Sequence, residues 1–419
     1  MGIDQQAAAV GGTVAPGFEG VRDAFARNFV EHGEVGAACA LYVDGRPVVD
    51  LWGGVADAAT GAPYLADTLQ LVFSSTKGLT AICANLLAER GELDVDAPVA
   101  EYWPEFAQAG KEDVPVRWLL CHKGGLPYVV TPTGLDDALA WDPVVDALAG
   151  QTPEWEPGTA HGYHAVTYGW LVGEVIRRVS GRRVGTFFGD EIAGPLGLEA
   201  WIGLPDELQS RVAPLTTRAL GPGAGRDDGA GMEVEEPQTL TEFIEEFLGP
   251  DSLLAKALGG TIDPVTGEGV FTGDGVFNRP EVRAAELPAA NGVATARSLA
   301  KLYAATIGGV EGGPSTPLLS PDQVAAASTT QTEGADRVLM FPTTFGLGFM
   351  TSSPFSPYGG PKGFGHAGAG GSVAFADPEA GVGFAYVMNR MMANLTGDPR
   401  SQGLVNAAYE ALGITPTFA

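Results

Sequence analysis

Ser74 and Lys77 lie three residues apart in the segment LVFSSTKGLTA, and this pair of residue types is suited to nucleophilic catalysis. Side chains at positions i and i+3 of a helix share one face, about 5–6 Å apart at Cβ. Burial would shift the lysine towards its neutral amine, which could then accept the serine proton. The N–H groups at the start of the helix would stabilise a developing oxyanion. The spacing therefore predicts a serine nucleophile paired with a lysine base.

Ser298 and Lys301 have the same spacing, so the context of each pair has to decide between them. Ser74 follows a predicted hairpin and the run LQLVF, and its helix is apolar nearly all round, which is typical of a central helix. Ser298 opens a helix with no predicted strand before it, and Ser is a favoured N-cap residue. We therefore predict a catalytic role for the first pair and a capping role for Ser298.

Two other groupings of residues could be mistaken for sites. His161 and His164 lie close together, but no acid stands at helical spacing from them, so neither a metal site nor a cofactor is predicted. Ser372, in GGSVA, approaches the G-x-S-x-G motif of lipases but lacks its last glycine and falls among predicted strands. We therefore do not expect Ser372 to be a nucleophile.

The elements that must position these residues follow from apolar periodicity and turn signals. Asp44-Gly45 joins two β-rich runs, 35–43 and 46–54, and this dipeptide is a strong hairpin signal. The Ser74 helix ends at Gly91, and further strands are predicted in FGLGFM, GSVAFAD and GVGFAYVMN. Predicted helices cover residues 18–33, 167–181, 240–249 and 401–413.

Strands near both ends of the chain, with helices between them, predict an α/β fold of the α+β type. We expect one antiparallel sheet built from N- and C-terminal segments and flanked by helices, with a mainly helical subdomain inserted. Within a single domain of residues 1–419, the α/β part would comprise 17–100 and 290–419, and the helical part 101–289. A segment rich in glycine and acid, 221–237, predicts a surface loop.

The charge and the apolar pattern exclude several functions. Among 419 residues, 51 are acidic and 24 are Lys or Arg, so the formal net charge is −27. Nucleic acid and anionic lipid would repel such a chain. No run of eighteen apolar residues occurs, so no membrane-spanning helix is predicted. Residues 1–12 do not resemble a signal peptide. The three cysteines lie in apolar segments far apart in the chain, so no disulfide is predicted. We predict a cytoplasmic protein that acts on a small molecule and has no nucleic-acid or membrane partner. No pattern in the sequence indicates the oligomeric state.

Six segments, in this order, resemble the serine β-lactamase and penicillin-binding-protein superfamily, most of all its class C-like branch with the family VIII carboxylesterases. The resemblance spans roughly residues 17 to 412. It implies a β-lactamase/transpeptidase-like fold and acyl-enzyme chemistry, and the order of segments is far more specific than one S-x-x-K motif. The segments are LVFSSTKGLTA, VRWLLCHKGGLPY, WEPGTAHGYHAVTYGWLVGEVI, NGVATARSLAKLYAA, FGLGF and FGHAGAGGSVAFADPEAGVGFAYVMN.

The resemblance assigns roles to three catalytic residues. Ser74 matches the acylated nucleophile and Lys77 its proton-accepting partner. Tyr163, in Gly-Tyr-His-Ala, matches the tyrosine of the Tyr-x-Asn motif, which shuttles a proton between the nucleophile and the leaving group. Whether Tyr163 or Lys77 is the base stays open, because an unperturbed tyrosine has a pKa of about 10.

The resemblance also implies substrate-binding positions. His366-Ala367-Gly368 match the Lys-Thr-Gly strand motif that lines the cleft, with His-x-Gly as a variation. The N–H groups of Ala369 and Ser74 would form the oxyanion hole.

Two departures from the family pattern bear on the substrate. Ala165 stands at the Tyr-x-Asn asparagine, so a side-chain amide that would contact an acylamide substrate is missing. His366 stands at the lysine of Lys-Thr-Gly, which weakens the fixed positive charge that receives a carboxylate. Together with the net charge of −27, these departures predict a serine carboxylesterase for neutral esters with short acyl chains.

Three alternatives remain at this point. The first is a β-lactamase or a D-amino-acid amidase or peptidase, which Ala165 and His366 disfavour. The second is an acyltransferase, because water and an alcohol compete for the same acyl-enzyme. The third is a catalytically silent, penicillin-binding-like ligand sensor, which the intact Ser74, Lys77 and Tyr163 disfavour.

Overall fold

The computed structural model of the chain describes residues 10–217, 248–249, 251–272 and 275–417. The predicted loop at 221–237 and nearly all of the predicted helix at 240–249 lie outside these residues. The described residues form an α/β structure with two antiparallel sheets. The strands are β1 Gly11–Val14, β2 Gly36–Val43, β3 Arg46–Asp57, β4 Ala62–Pro63, β5 Gln70–Leu71, β6 Ala200–Trp201, β7 Val293–Ala294, β8 Thr332–Ala335, β9 Pro342–Phe345, β10 Met350–Thr351, β11 Phe364–Ala367, β12 Val373–Asp377 and β13 Val382–Met388.

The larger sheet joins the two ends of the chain, as the sequence predicts. Its order is β1-β3-β2-β13-β12-β11-β10-β9-β8, and β4 adds to β3. The central pairing is between β2 and β13, where Cys39 faces Tyr386. The hairpin β2–β3 turns at Asp44 and Gly45, whose φ angles of 47° and 75° are the positive values that this tight turn requires. The predicted fold class is confirmed.

The smaller sheet, in the order β5-β7-β6, leads into the site. β5 ends at Leu71, two residues before the turn that carries Ser74, and the chain continues pairing through a hydrogen bond from the Val72 N–H to the Gly292 carbonyl. β7 ends just before the helix that carries Ser298. The expectation that no strand precedes Ser298 is therefore wrong; a two-residue strand has too little periodicity to be read from sequence.

Helix α2 (Thr76–Glu89) lies at the centre of the molecule, and its residues from Thr76 to Leu87 are all buried. It packs against a second long helix, α7, and against β11 of the larger sheet. In the described parts of the chain, no helix is long and apolar enough to cross a membrane. The other helices are α1 Glu19–Glu31, α3 Val99–Tyr102, α4 Val116–Leu120, α5 Leu135–Ala140, α6 Asp142–Gly150, α7 Thr167–Ser180, α8 Val184–Phe188, α9 Gly194–Leu196, α10 Leu253–Gly259, α11 Pro280–Ala284, α12 Ala296–Ile307, α13 Pro321–Ser328 and α14 Pro399–Ala411.

Candidate active site

Ser74 lies in a strained turn between the smaller sheet and helix α2. The helix begins at Thr76, so Ser74 precedes the helix and does not belong to its first turn. Phe73 has a φ of 43°, an uncommon value for a residue with a side chain, and its carbonyl accepts hydrogen bonds from the N–H and the hydroxyl of Thr76. This turn holds the Ser74 hydroxyl half-buried at the helix entrance, and such strain is common at functional sites.

The amine of Lys77 is fully buried and has three oxygen neighbours. Its Nζ lies 3.1 Å from Ser74 Oγ, 2.6 Å from the Ala165 carbonyl oxygen and 3.0 Å from the Ala289 carbonyl oxygen. Burial lowers the pKa of Lys77 well below its ordinary value. A neutral amine has two N–H donors and one lone pair. Because carbonyl oxygens only accept, the two N–H groups are used there, and the lone pair is left for the Ser74 hydroxyl proton.

Tyr163 completes a cluster with Ser74 and Lys77. Its ring is buried, stacks on Phe345 with 6.1 Å between centroids, and lies 4.7 Å from Lys77 Nζ. Burial raises the pKa of the Tyr163 phenol, and a hydrogen bond with Ser74 opposes that rise. The structure therefore brings together the three residues that the sequence selects as catalytic candidates.

Asp336 anchors this tyrosine, and sequence reasoning missed it. The carboxylate is buried and accepts hydrogen bonds from the backbone N–H of Tyr163 at 3.0 Å, from two further backbone N–H groups at Val338 and Leu339, and from the Thr343 hydroxyl. No sequence signal separates it from the other acids, because its partner at Tyr163 is 173 residues away. Asp336 fixes the backbone from which the Tyr163 ring extends.

His366 lies on β11, is only 1% exposed, and lines the cavity in front of Ser74. Its Nδ1 is 2.6 Å from the Ala367 carbonyl, which can only accept, so Nδ1 carries the proton. Burial and the nearby Lys77 lower the pKa of His366 to about 3, so the ring is neutral at pH 7. Its Nε2 is then a buried acceptor, with no hydrogen-bond partner among the described residues.

The segment after β11 brings Ala369 to the same cavity. Ala369 lines it together with Ser74, and the N–H of neither residue donates to any other residue that the structure describes. The empty space of this cavity is about 300 Å³ when the part open to solvent is included, and Ala367 and Gly368 line a neighbouring one of about 320 Å³ counted in the same way. The first cavity is lined by Ser74, Tyr163, Leu339, Phe341, Met350, His366, Ala369, Leu395 and Thr396.

Ala165 contributes through its backbone. Its side chain is buried and does not line either cavity, whereas its carbonyl holds the amine of Lys77. The assignment of Ala165 to the substrate-binding positions stays a prediction. The contact that the structure shows is made by its main chain, which any residue type supplies.

Ser298 and Lys301 do not form a second site. Ser298 Oγ accepts hydrogen bonds from the Thr295 hydroxyl and the Glu199 N–H, while Lys301 Nζ donates to the carbonyls of Leu196 and Gly312. Each side chain therefore has its own partners, and the serine sits in the first turn of α12, next to the N-cap Thr295.

The side chains of Ser372, His161 and His164 form hydrogen bonds with other groups of the protein. Ser372 lies in the turn before β12, not within a strand, and its buried hydroxyl donates to the Val72 carbonyl. His161 Nε2 pairs with the Thr343 hydroxyl, and His164 pairs with the Gly162 carbonyl and the Leu126 N–H. These side chains tie the segments around the cavity together.

Comparison with known proteins agrees with this geometry. The chain is 36% identical over 391 residues to the esterase/beta-lactamase LipL of Mycobacterium tuberculosis, covering 92% of this chain and 84% of that protein. Its structure is similar to that of a family VIII carboxylesterase, with a TM-score of 0.80 and 36% identity, covering 96% of this chain and 100% of the other. A penicillin-binding protein homologue from Caulobacter crescentus gives a TM-score of 0.81 and 39% identity over the same shares.

A sequence description of the family named Beta-lactamase matches residues 22–407, which include the Ser74 turn, Lys77, Tyr163 and the strand of His366. The chain therefore belongs to the Beta-lactamase family.

Proposed function

We propose that the protein is a serine hydrolase that cleaves neutral carboxylic esters through an acyl-enzyme on Ser74. The observation that carries the proposal is the position of Lys77 Nζ, held by two carbonyls so that its lone pair is left for Ser74 Oγ. A relative named esterase/beta-lactamase and a solved structure named as a family VIII carboxylesterase support ester hydrolysis as the reaction class, and the first of these names also covers the β-lactamase alternative.

The proposed reaction begins with attack of Ser74 Oγ on the ester carbonyl, while the hydroxyl proton passes to Lys77. The resulting oxyanion would accept hydrogen bonds from the N–H groups of Ser74 and Ala369. Tyr163, whose raised pKa keeps the phenol protonated, would donate a proton to the departing alkoxide and regain it from Lys77. Water then attacks the acyl-enzyme with the same proton transfers in reverse, which releases the acid and restores Ser74.

The surroundings of Ser74 favour neutral substrates with short acyl chains. The cavity is walled by bulky apolar side chains, among them Phe341, Met350 and Leu395. His366 offers a neutral acceptor, so a substrate carboxylate there would have no cation to pair with and would face a lone pair. A neutral ester avoids that repulsion. We further propose a cytoplasmic location, consistent with three free, buried cysteines.

Hydrolysis of p-nitrophenyl butyrate by wild type and Ser74→Ala tests the proposal, with Ser298→Ala as the matched control. We expect Ser74→Ala to lose at least about 10³-fold in kcat, and Ser298→Ala to keep wild-type turnover. Retained turnover in Ser74→Ala would refute the nucleophile. The β-lactam nitrocefin, run in parallel, separates the reaction classes, since turnover of nitrocefin rivalling that of the ester would favour the β-lactamase alternative.

A further inference from the structure

Arg400, in the first turn of α14, is completely buried, and all five of its N–H donors have partners. Nε and Nη2 form a two-pronged pair with the carboxylate of Asp398, at 3.0 and 2.8 Å. Nη1 donates to the Arg390 carbonyl at 2.9 Å and to Glu34 at 3.2 Å. The remaining Nη2 donor binds the carbonyl oxygen of Gly370 at 2.6 Å, the shortest of these contacts. Arg400 thus connects a buried ion cluster to the residue that follows Ala369.

The turn of residues 368–371 is fixed by backbone contacts on every side. The Gly371 N–H donates to the Gly368 carbonyl at 3.2 Å, and the Gly370 N–H donates to the Asn394 carbonyl at 3.0 Å. Since the Gly368–Ala369 peptide is trans, its N–H points away from its own carbonyl. Holding the Gly368 carbonyl towards Gly371 therefore turns the Ala369 N–H in the opposite direction.

The turn rests directly on the ion pair, without an intervening side chain. A Cβ atom added to Gly371 would lie 2.3 Å from Asp398 Oδ2 and 2.4 Å from Arg400 Nη2. Gly371 also has a φ of 128°, which side chains rarely adopt. A displacement of the guanidinium or of Asp398 would therefore be transmitted to the backbone of the turn.

We propose that Arg400 is a positioning residue for the oxyanion hole: it binds the Gly370 carbonyl at 2.6 Å, which also accepts from the Met392 N–H at 3.1 Å, and with that N–H it sets the direction in which the Ala369 N–H meets the reacting carbonyl oxygen. The inference rests on the proposed function and extends it to a residue that does not line the cavity of Ser74.

A lysine could replace the charge of Arg400 but not its geometry. The ammonium has three donors on one atom, whereas the planar guanidinium directs five donors to partners on different sides. Arg400→Lys therefore keeps a cation against Glu34 and Asp398, while the contact with Gly370 cannot be maintained together with the others.

The test compares Arg400→Lys with wild type in p-nitrophenyl butyrate hydrolysis and in binding of butylboronic acid. Addition of Ser74 Oγ to boron, with the hydroxyl proton passing to Lys77, forms a tetrahedral boronate anion, one hydroxyl of which would occupy the oxyanion hole. We expect kcat to fall about 10- to 100-fold, less than for complete loss of an oxyanion donor, with KM changed less than threefold. Boronic acid affinity should fall by a similar factor.

Glu34→Gln is the matched control, because Glu34 accepts from Nη1, whereas Nη2 binds the Gly370 carbonyl. It should lower Tm while reducing kcat less than threefold.

The proposal is overturned if Arg400→Lys keeps kcat within twofold of wild type, or if both variants lose kcat in proportion to Tm. Should Arg400→Lys not fold, Asp398→Asn replaces it, because one of the two carboxylate oxygens that accept from the guanidinium then becomes an N–H donor and displaces it. Unchanged kcat and boronic acid affinity in that variant also overturn the proposal. Absence of ester turnover in wild type would instead refute the proposed function, and this inference with it.

Discussion

The state of the Lys77 amine can be measured through stability, independently of catalysis. Burial lowers the pKa of Lys77 well below 10.5 in the folded protein, while the unfolded chain keeps an ordinary lysine. Between these two pKa values the unfolded chain binds one more proton than the folded one. The free energy of unfolding therefore rises with pH in this window, by about 1.4 kcal/mol per pH unit.

Lys77→Met removes this contribution and keeps a side chain of similar length. It also leaves the carbonyls of Ala165 and Ala289 without their donor, at about 1–3 kcal/mol each, and this cost does not depend on pH. The stability advantage of wild type over the variant should therefore increase with pH throughout this window, by about 1.4 kcal/mol per pH unit.

Urea unfolding at pH 7, 8 and 9, followed by tryptophan fluorescence at constant ionic strength, measures this difference. Lys301→Met is the control: its amine also binds two carbonyls but is only partly buried, and its pKa is lowered less, so a flatter dependence is expected. A difference between wild type and Lys77→Met that does not change with pH would refute the reasoning. It would mean that Lys77 is charged in the folded protein and cannot accept the Ser74 proton.

The same titration should appear in catalysis. We expect kcat/KM for p-nitrophenyl butyrate to rise with pH to a plateau as Lys77 loses its proton. With an ordinary lysine that rise would fall in the alkaline range, whereas burial moves its midpoint to lower pH. The midpoint should coincide with the pH at which the stability difference begins to increase, and a midpoint near 10.5 would contradict the stability argument.

Three further predictions concern neighbours of the nucleophile. Tyr163→Phe should lower kcat about 10²- to 10⁴-fold with little change in Tm, because it removes the proton donor for the leaving group and keeps the ring packing; steady-state kinetics would expose a smaller loss. His366→Lys should raise kcat/KM for the p-nitrophenyl monoester of succinic acid relative to the butyrate ester by about tenfold or more, since an ammonium replaces a neutral acceptor; an unchanged ratio would show that His366 does not meet the acyl group. Asp336→Ala should lower the free energy of unfolding by about 2–4 kcal/mol and reduce turnover, because it leaves the N–H of Tyr163 unpaired; urea unfolding and ester hydrolysis check both effects.

The sequence alone determined the features that depend on neighbouring residues in the chain. Asp44-Gly45 specifies the hairpin because a tight turn requires positive φ at both positions. The i, i+3 spacing of Ser74 and Lys77 places both side chains on one side of the α2 entrance, and the surface of α2, apolar nearly all round, predicts a central helix. Periodicity and turn chemistry act over a few residues, so these features could be read directly.

Only the tertiary structure decided what surrounds those residues. The carbonyls that hold the Lys77 amine come from positions 88 and 212 residues away, and neither contact depends on a recognisable side chain. Asp336 and Arg400 act through backbone groups of Tyr163 and Gly370, so their sequence neighbourhoods carry no trace of the role. Two serines with the same spacing to a lysine differ for the same reason: long-range packing buries Lys77 beside Ser74 but directs Lys301 away from Ser298. Local pattern supplies the reactive groups, and the dielectric and hydrogen-bonding environment that could activate them arises only when distant segments pack together.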